Sequence, residues 1–160
     1  MPLIQLDTKI NAPIEPCFNL SLDVSVHTGS MKHTDEKIVG GRLSDICEAG
    51  DTITWEAVHF GTRQRLTVKV LSVDFPHFFE DMMLKGAFAS MHHKHFFQEE
   101  NGYTIMRDEF NYVSPLGVLG RLADRVFLEK YMRKLLMERN KFIKEAAENQ
   151  AFGLEEGADD

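Results

Sequence analysis

A long helical segment at the end of the chain constrains the fold more than any other feature. It begins at Ser114-Pro115, a polar residue followed by proline, and extends to about Gln150. Most of the chain before it, from Gln5 to Tyr112, alternates apolar and polar residues between turns that contain glycine, as β-strands do. A helix and a sheet each bury an apolar face against another element. The pattern therefore predicts an α+β fold in which a curved sheet packs against this helix.

The apolar residues of this segment lie on two different sides of a helix with about 100° per residue. One side carries Leu119, Leu122 and Val126. The other side, roughly half a turn away, carries Leu128, Met132, Leu135, Leu136, Phe142, Ile143 and Ala146. The pattern favours a short first helix that could gate a cavity, a break near residues 125–128, and then a long helix. The alternative is one helix whose middle is covered on both sides.

Two short helices are expected between the first strand and the rest of the sheet. The first strand covers residues 3–10, and Asn11-Ala12-Pro13 then begins a short helix. A second helical or irregular piece covers residues 23–31, and an edge strand follows near residues 37–39. We expect residues 1–152 to form a single domain, and residues 153–160, which are acidic and contain glycine, to form a flexible tail.

Two hairpins predict which residues face the interior of the sheet. Gly61-Thr62 predicts a type II′ turn, and Asn101-Gly102 predicts a type I′ turn that places His95 opposite Asp108. The inner faces defined by these two registers are mostly apolar. Their polar or ionisable members include His59, His93, His95 and Asp108. In the strand between the hairpins, either Glu80 or Asp81 points inward, but not both.

Charge and composition argue against several classes of function. The formal net charge of -7 argues against nucleic acids and anionic membrane surfaces as main partners. Cys17 and Cys47 are too few and too far apart for a disulfide framework or a zinc site. No apolar run approaches the roughly 20 residues of a membrane span, and residues 1–10 lack the apolar core of a signal peptide. We therefore expect a cytoplasmic protein, and its oligomeric state stays open.

Four short motifs carry a resemblance to a known family. They are Trp55-Glu56-Ala57-Val58-His59-Phe60-Gly61, Pro76-x-x-Phe79-x-Asp81, His93-x-His95-x-Phe97 and Pro115-Leu116-Gly117-x-Leu119-Gly120. With them the chain resembles, over nearly its whole length, the START-like superfamily (SRPBCC), which includes Bet v 1-type proteins and bacterial polyketide cyclase/dehydrase-like proteins. The resemblance implies a helix-grip fold, in which a seven-stranded antiparallel sheet wraps around the C-terminal helix and encloses an apolar cavity. It also implies two small helices after the first strand.

The same resemblance implies that the cavity holds a small hydrophobic molecule, such as a lipid, a polyketide-like compound or an aromatic compound. Some members of the family catalyse cyclisation or dehydration. The residues that we expect to contact the ligand are Trp55, His59, Leu66, Val68, Met91, His93, His95, Phe97, Asp108, Phe110, Tyr112, Leu135 and Arg139.

The polar members of this set must find partners, because burying them unpaired would cost several kcal/mol in total. They form either a satisfied structural network or the polar end of the cavity, where they would orient oxygen atoms of a ligand. A third possibility is acid–base catalysis by His95 and Asp108. Arg139 has two possible placements. Either the aliphatic part of its side chain packs against the edge of the core, or its guanidinium turns towards a buried carboxylate or an acidic ligand.

Other kinds of site have weaker support. His93-x-His95 puts two imidazoles on one strand face, as a metal site requires, but the distance to a third ligand such as His59 does not follow from the sequence. We therefore predict neither a metal nor a cofactor. Arg63, Arg65 and Lys69 form a basic stripe on the outer face, which is either a solvated surface or a surface for a partner protein.

Overall fold

A computed structural model describes residues 2–157, with the side chains of residues 125, 155 and 156 excepted. The strands and α-helices of this part of the chain are β1 (Leu3–Ile10), α1 (Ile14–Leu22), α2 (Val24–Ser30), β2 (Lys37–Gly41), β3 (Thr52–His59), β4 (Thr62–Asp74), β5 (Phe78–Lys85), β6 (Ser90–Glu100), β7 (Tyr103–Val113), α3 (Gly117–Ala123) and α4 (Glu129–Gly157). One 3-10 turn, Lys32–Thr34, precedes β2, and a π-helical segment, Asp124–Leu128, joins α3 to α4.

The strands within residues 2–157 form one antiparallel sheet in the order β1-β7-β6-β5-β4-β3-β2. Helix α4 contacts β1, and α1 and α2 pack against α4. The buried side of α4 carries Leu135, Leu136 and Ile143, as its apolar stripe predicts. This architecture confirms the predicted α+β helix-grip fold, including the two short helices after the first strand.

The hairpin of β6 and β7 has the predicted register throughout. Asn101 and Gly102 have φ angles of 49° and 86°, which the type I′ turn requires at both central positions. Glu100 pairs with Tyr103, and His95 lies opposite Asp108. Two turn residues and the period-two alternation of a strand are therefore sufficient to align these side chains.

The hairpin of β3 and β4 differs from the prediction in its turn. The two loop residues are Phe60 and Gly61, both with positive φ, so the turn is of type I′ and His59 pairs with Thr62. Each residue of β3 therefore faces a partner two positions earlier in β4 than predicted, and Trp55 pairs with Leu66. Because the shift is an even number of residues, the inner and outer faces remain as predicted.

The C-terminal helical segment does not break where a break was predicted. Ala123, Asp124 and Glu129 all keep right-handed helical backbone angles, and the helix continues through the π segment. A π turn contains an additional residue, so it rotates the following residues by about 100°, which is only part of the half turn between the two apolar sides. The first apolar side is therefore left uncovered, and Leu119 and Leu122 are 70% and 60% exposed.

Helix α4 also continues to Gly157, through the first five residues of the predicted flexible tail. Residues 158–160 lie outside the described part of the chain. No helix within residues 2–157 has both the length and the apolar character that crossing a bilayer requires.

Candidate functional site

A cavity lies between the sheet, α2 and α4, and it has two adjoining compartments. The inner compartment has a volume of about 170 Å³, and the outer compartment, beside the β3–β4 turn, has a volume of about 310 Å³. Both are lined by Trp55, Leu66 and Leu135. The predicted ligand-contacting residues that line the inner compartment are Trp55, His59, Leu66, Val68, Met91, His93, His95, Phe110, Leu135 and Arg139.

Three of the predicted contact residues, Phe97, Asp108 and Tyr112, do not line either compartment. They lie on the inner face of the sheet, as expected, but other side chains cover them. Phe97 packs against Phe18 of α1 with the ring centres 5.2 Å apart. Asp108 lies behind two histidines, and Tyr112 is fully buried next to Phe88. Strand alternation does not show how much of the sheet the other elements cover, and ligand contact by these three residues stays a prediction.

Asp108 is the centre of a buried polar network between β6, β7 and α4. Nε2 of His93 lies 2.9 Å from its Oδ1, and Nδ1 of His95 lies 3.0 Å from the same oxygen. Nη1 of Arg139 donates to Oδ1 at 3.5 Å, and Nδ2 of Asn140 donates to Oδ2 at 2.6 Å. Arg139 also donates to the backbone carbonyl of Ser21, so its guanidinium turns inward, as the second of the two predictions for this residue states.

Asp81 is the carboxylate of β5 that faces the cavity. Its Oδ2 lies 3.3 Å from Nε2 of His95, on the cavity side of that ring. Glu80 points to the outer face, where it contacts His92 at 2.7 Å and accepts a hydrogen bond from Ser72. The pairing of β4 with β5 is irregular between Val70 and Ser72, and this irregularity made the alternation in this region undecidable from sequence.

Burial and hydrogen bonding assign charges to this network. Burial raises the pKa of the Asp108 carboxyl, but the hydrogen bonds from His93 and His95 outweigh burial and hold the pKa well below its usual range. Burial also raises the pKa of Asp81, but the hydrogen bond with His95 and the nearby charges, including that of Arg139, together outweigh burial and lower the pKa. Burial, aided by repulsion from His95, lowers the pKa of His93 to about 4. At neutral pH both carboxylates are therefore ionised and His93 is uncharged.

These charges determine which nitrogen of His93 carries the proton. An ionised carboxylate only accepts hydrogen bonds, so Nε2 of neutral His93 must donate to Asp108. Nδ1 of His93 is then an unprotonated nitrogen. His95 has a carboxylate near each nitrogen, and its Nδ1–H is not well aligned with Asp108. Asp81, His93 and His95 each place one ligand atom within 4.8 Å of the others, so they form a candidate metal-binding set.

His59 does not contact the Asp108 network in the described part of the chain. Its Nδ1 lies 2.7 Å from the hydroxyl of Tyr131 on α4, at the border of the two compartments. Burial lowers the pKa of His59. On the other side of the cavity, the ring of His27 stacks on Trp55 at 4.4 Å and its Nδ1 lies 2.8 Å from Glu36. The polar groups of the cavity therefore occur in three places, which are the Asp108 network, the pair of His59 with Tyr131, and the pair of His27 with Glu36.

Sequence reasoning missed Asn140, Asp81 as the inward carboxylate, and Tyr131. Asn140 carried a detectable signal, because it occupies the helical position between the buried residues Leu136 and Ile143. A polar residue in such a stripe needs a buried partner. Tyr131 offered no comparable signal.

Two residues of the basic stripe on the outer face of the sheet, Arg63 and Arg65, form ion pairs. Arg63 contacts Asp35 at 3.0 Å and Glu56 at 3.3 Å, and Arg65 contacts Glu56 at 2.8 Å. The charges of these two arginines are thus locally compensated, which favours the solvated surface over the partner surface.

Neither a protein-family model nor a curated protein sequence matches this chain. Solved structures do match it. TTHA0849 from Thermus thermophilus has a TM-score of 0.75 at 20% identity, with 91% of this chain and 97% of that chain covered. For ginseng major latex-like protein 151 from Panax ginseng the TM-score is 0.67 at 12% identity, with coverage of 91% and 97%.

A third match is the di-domain ARO/CYC StfQ from the steffimycin biosynthetic pathway, with a TM-score of 0.72 at 10% identity. The match covers 93% of this chain and 52% of StfQ, so the chain corresponds to about half of that protein. At these identities the similarity concerns the fold. Together with the sheet topology and the long gripped helix, it shows that the chain has the helix-grip fold, which is the fold that the START-like resemblance implies.

Proposed function

We propose that this protein binds a small, mainly hydrophobic molecule in the two-compartment cavity. The observation that carries the proposal is the mainly apolar wall of the cavity, which ends at a cluster of charged groups around Asp81, His95 and Arg139. A concave, mostly apolar site with a few convergent polar groups is the usual form of a small-molecule site. The apolar body of the ligand would contact residues such as Trp55 and Leu135, and its polar group would point to the charged end.

The comparisons support a ligand of the same class. StfQ is an ARO/CYC protein of a biosynthetic pathway and shares this fold, which supports polyketide-like molecules among the first candidates. Lipids and other aromatic molecules have the same chemistry in outline, an apolar body with one or more oxygen atoms. Arg139 favours a molecule whose polar group is an acceptor or an anion.

Binding can be measured through Trp55, the single tryptophan of the chain and part of the cavity wall. We expect a fluorescent apolar probe, N-phenylnaphthylamine, to accept energy from Trp55 when it enters the cavity. Val68→Phe should fill the inner compartment and lower the affinity at least about tenfold, which corresponds to about 1.4 kcal/mol. The matched control is Leu71→Phe, on the same strand but exposed.

Two outcomes would contradict the proposal. One is a folded wild-type protein that shows no saturable energy transfer from Trp55 to the probe. The other is a Val68→Phe variant that binds the probe as tightly as the wild type and the Leu71→Phe control.

A second candidate function is acid–base catalysis, and one observation favours it. Nδ1 of His95 lies near Asp108 while Nε2 lies on the cavity side, which is the arrangement in which a carboxylate orients an imidazole for proton transfer. Asp81 would have to release Nε2 before that nitrogen could reach a substrate, because it lies 3.3 Å away. A cyclisation or dehydration of a polyketide-like substrate would suit such a pair.

The two functions differ in the effect of His95→Gln. If His95 is an acid–base catalyst, this variant loses turnover of a polyketide-like substrate, followed by mass spectrometry, and keeps its melting temperature. If the network is only structural, the variant mainly melts at a lower temperature. Turnover by His95→Gln at the wild-type rate would exclude the catalytic role.

A further inference from the structure

His95 lies between two carboxyl groups, each of which is near one of its ring nitrogens. Its Nδ1 is 3.0 Å from Asp108, and its Nε2 is 3.3 Å from Asp81. A neutral imidazole carries one N–H, so one of its nitrogens then presents a lone pair to a carboxylate oxygen, which is repulsive. A metal ion on the cavity side would bind Nε2 of His95 and Oδ2 of Asp81 together, and it would leave Nδ1 of His95 to Asp108.

We propose that Asp81, His93 and His95 form a site for a divalent transition metal, with zinc as its best-fitting occupant, at the inner end of the cavity. The proposal goes beyond the binding of a hydrophobic molecule and does not depend on it. Two imidazoles and one carboxylate are a ligand set that zinc and iron(II) accept. A single metal ion would take one ligand atom from each of these three residues.

The spacing of the ligand atoms fits this proposal. Two ligands that are each about 2.0–2.1 Å from a tetrahedral zinc ion lie roughly 3.3 Å apart. Nε2 of His95 and Oδ2 of Asp81 are 3.3 Å apart, and one ligand atom of His93 lies within 4.8 Å of both residues. The three residues therefore surround one point at the inner end of the cavity.

Asp108 is placed to orient both histidines from the side away from the metal. It accepts the hydrogen bond of His93 and lies 3.0 Å from the Nδ1 of His95, so it meets the histidine nitrogens that would not bind the ion. Metal-binding histidines usually donate their other N–H to a carboxylate in this way, which orients the ring. Coordination at Nε2 would also allow the His95 ring to turn its Nδ1–H towards Asp108.

The charge balance accepts a divalent cation. Asp81 and Asp108 contribute two negative charges and Arg139 contributes one positive charge, so the site has one net negative charge when both histidines are neutral. A divalent metal would leave one net positive charge beside the cavity. Three protein ligands also leave a fourth tetrahedral position, which would be open to water or to an oxygen of a cavity ligand.

The test uses the full chain after treatment with a chelator. We expect one equivalent of Co²⁺ to produce the visible absorption of a tetrahedral complex, and Zn²⁺ to displace it in a competition titration. Asp81→Asn and His93→Ala should each weaken Zn²⁺ binding at least about 100-fold, since each removes a ligand, and Asp108→Asn should weaken it by about 10- to 100-fold.

The chain contains a matched control on the opposite face of the same two strands. His92 and Glu80 also form a histidine–carboxylate contact, at 2.7 Å, but on the outer face. His92→Ala and Glu80→Gln should therefore leave the affinity for Zn²⁺ within about threefold of the wild type, as expected for residues without metal contact. Circular dichroism identifies any variant that fails to fold. Asp81→Asn is the decisive variant, because Asp81 lies on the cavity wall and does not contact Asp108.

Three outcomes would overturn the proposal. The folded chain could take up no Co²⁺, Asp81→Asn could bind Zn²⁺ like the wild type, or binding could depend on His92 and Glu80 instead. The binding of N-phenylnaphthylamine is measured separately without metal, so failure of the metal site and failure of the hydrophobic site give different results.

Discussion

Asn140 of α4 donates a hydrogen bond of 2.6 Å to Oδ2 of Asp108 on β7, and this contact joins the gripped helix to the sheet inside the protein. Arg139, the preceding residue of α4, approaches the other carboxylate oxygen. Asp108 is fully buried, and within residues 2–157 its charge is stabilised by these groups and by the two histidines of β6. We therefore expect the network to contribute to stability whatever the cavity binds.

Asp108→Asn should destabilise the protein strongly, because the variant leaves Arg139 without a buried counter-charge and turns amide hydrogens towards other donors. Loss of one partner of a buried ion pair costs about 3–5 kcal/mol, measurable by urea denaturation. The control is Glu109→Gln, the next residue on the opposite face, which should change the free energy of unfolding by less than about 0.5 kcal/mol. A loss below about 1 kcal/mol for Asp108→Asn would show that the network contributes little.

Acid should destabilise the protein between about pH 6.5 and pH 4. His93 has a folded-state pKa of about 4, below the ordinary value of 6.5, so in this range the unfolded chain binds a proton that the folded protein does not. Stability is therefore fully present above pH 6.5 and falls by about 3 kcal/mol towards pH 4. Asp81 and Asp108, whose pKa values are lowered, add further losses only at more acidic pH.

Urea denaturation at a series of pH values checks this, with His93→Gln as the variant and His77→Gln, at a position outside the network, as the control. His93→Gln should lose most of the pH dependence between pH 6.5 and 4, and His77→Gln should keep it. An unchanged pH dependence in His93→Gln would refute the assignment.

Phe60→Asn should preserve or slightly raise the free energy of unfolding and should increase the rate at which a bound ligand is released. Phe60 has a φ of 52°, which costs a bulky residue about 1 kcal/mol or more and which asparagine tolerates. Its ring packs against Tyr131 at 4.4 Å and Phe127 at 5.4 Å, beside the outer compartment. We expect faster release of N-phenylnaphthylamine in stopped-flow measurements. A large loss of stability would mean that the aromatic contacts outweigh the backbone strain.

Leu119→Ala should change stability by less than about 0.5 kcal/mol, because this residue of α3 is 70% exposed. Leu136→Ala, on the buried side of α4, should cost about 2–5 kcal/mol. Thermal or urea denaturation of both variants compares the two apolar sides of the C-terminal helical segment. A comparable loss in both would mean that the side of α3 with Leu119 is covered in solution.

Local patterns in the sequence predicted much of the fold. The alternation of side chains along a strand placed His93, His95 and Asp108 on one face, and the Asn101-Gly102 turn aligned His95 with Asp108. The change of apolar side within the C-terminal segment predicted an irregularity near residues 125–128. The irregularity is the π segment and not a break in the helix. Each of these features depends on residues that are close in sequence or on a single turn, so local rules are sufficient for them.

Local sequence patterns predicted less of the candidate site than of the fold. Whether Asp81 or Glu80 faces inward depends on an irregular strand pairing, which a change of one residue in register reverses. The contact of Asn140 with Asp108 joins residues 32 positions apart through the packing of α4 on the sheet. Neither follows from a local pattern.

The sequence by itself therefore determined the strand faces of the two hairpins, the β6–β7 register and the long helix that the sheet grips, because these follow from side-chain periodicity and turn chemistry. Only the tertiary structure decided which inward residues line the cavity and which are covered. Phe97 and Val68 both point inward, but helix α1 packs on Phe97, whereas Val68 lines the cavity. The physical reason is that burial of a strand face depends on elements that pack from elsewhere in the chain, and no local pattern specifies where they end.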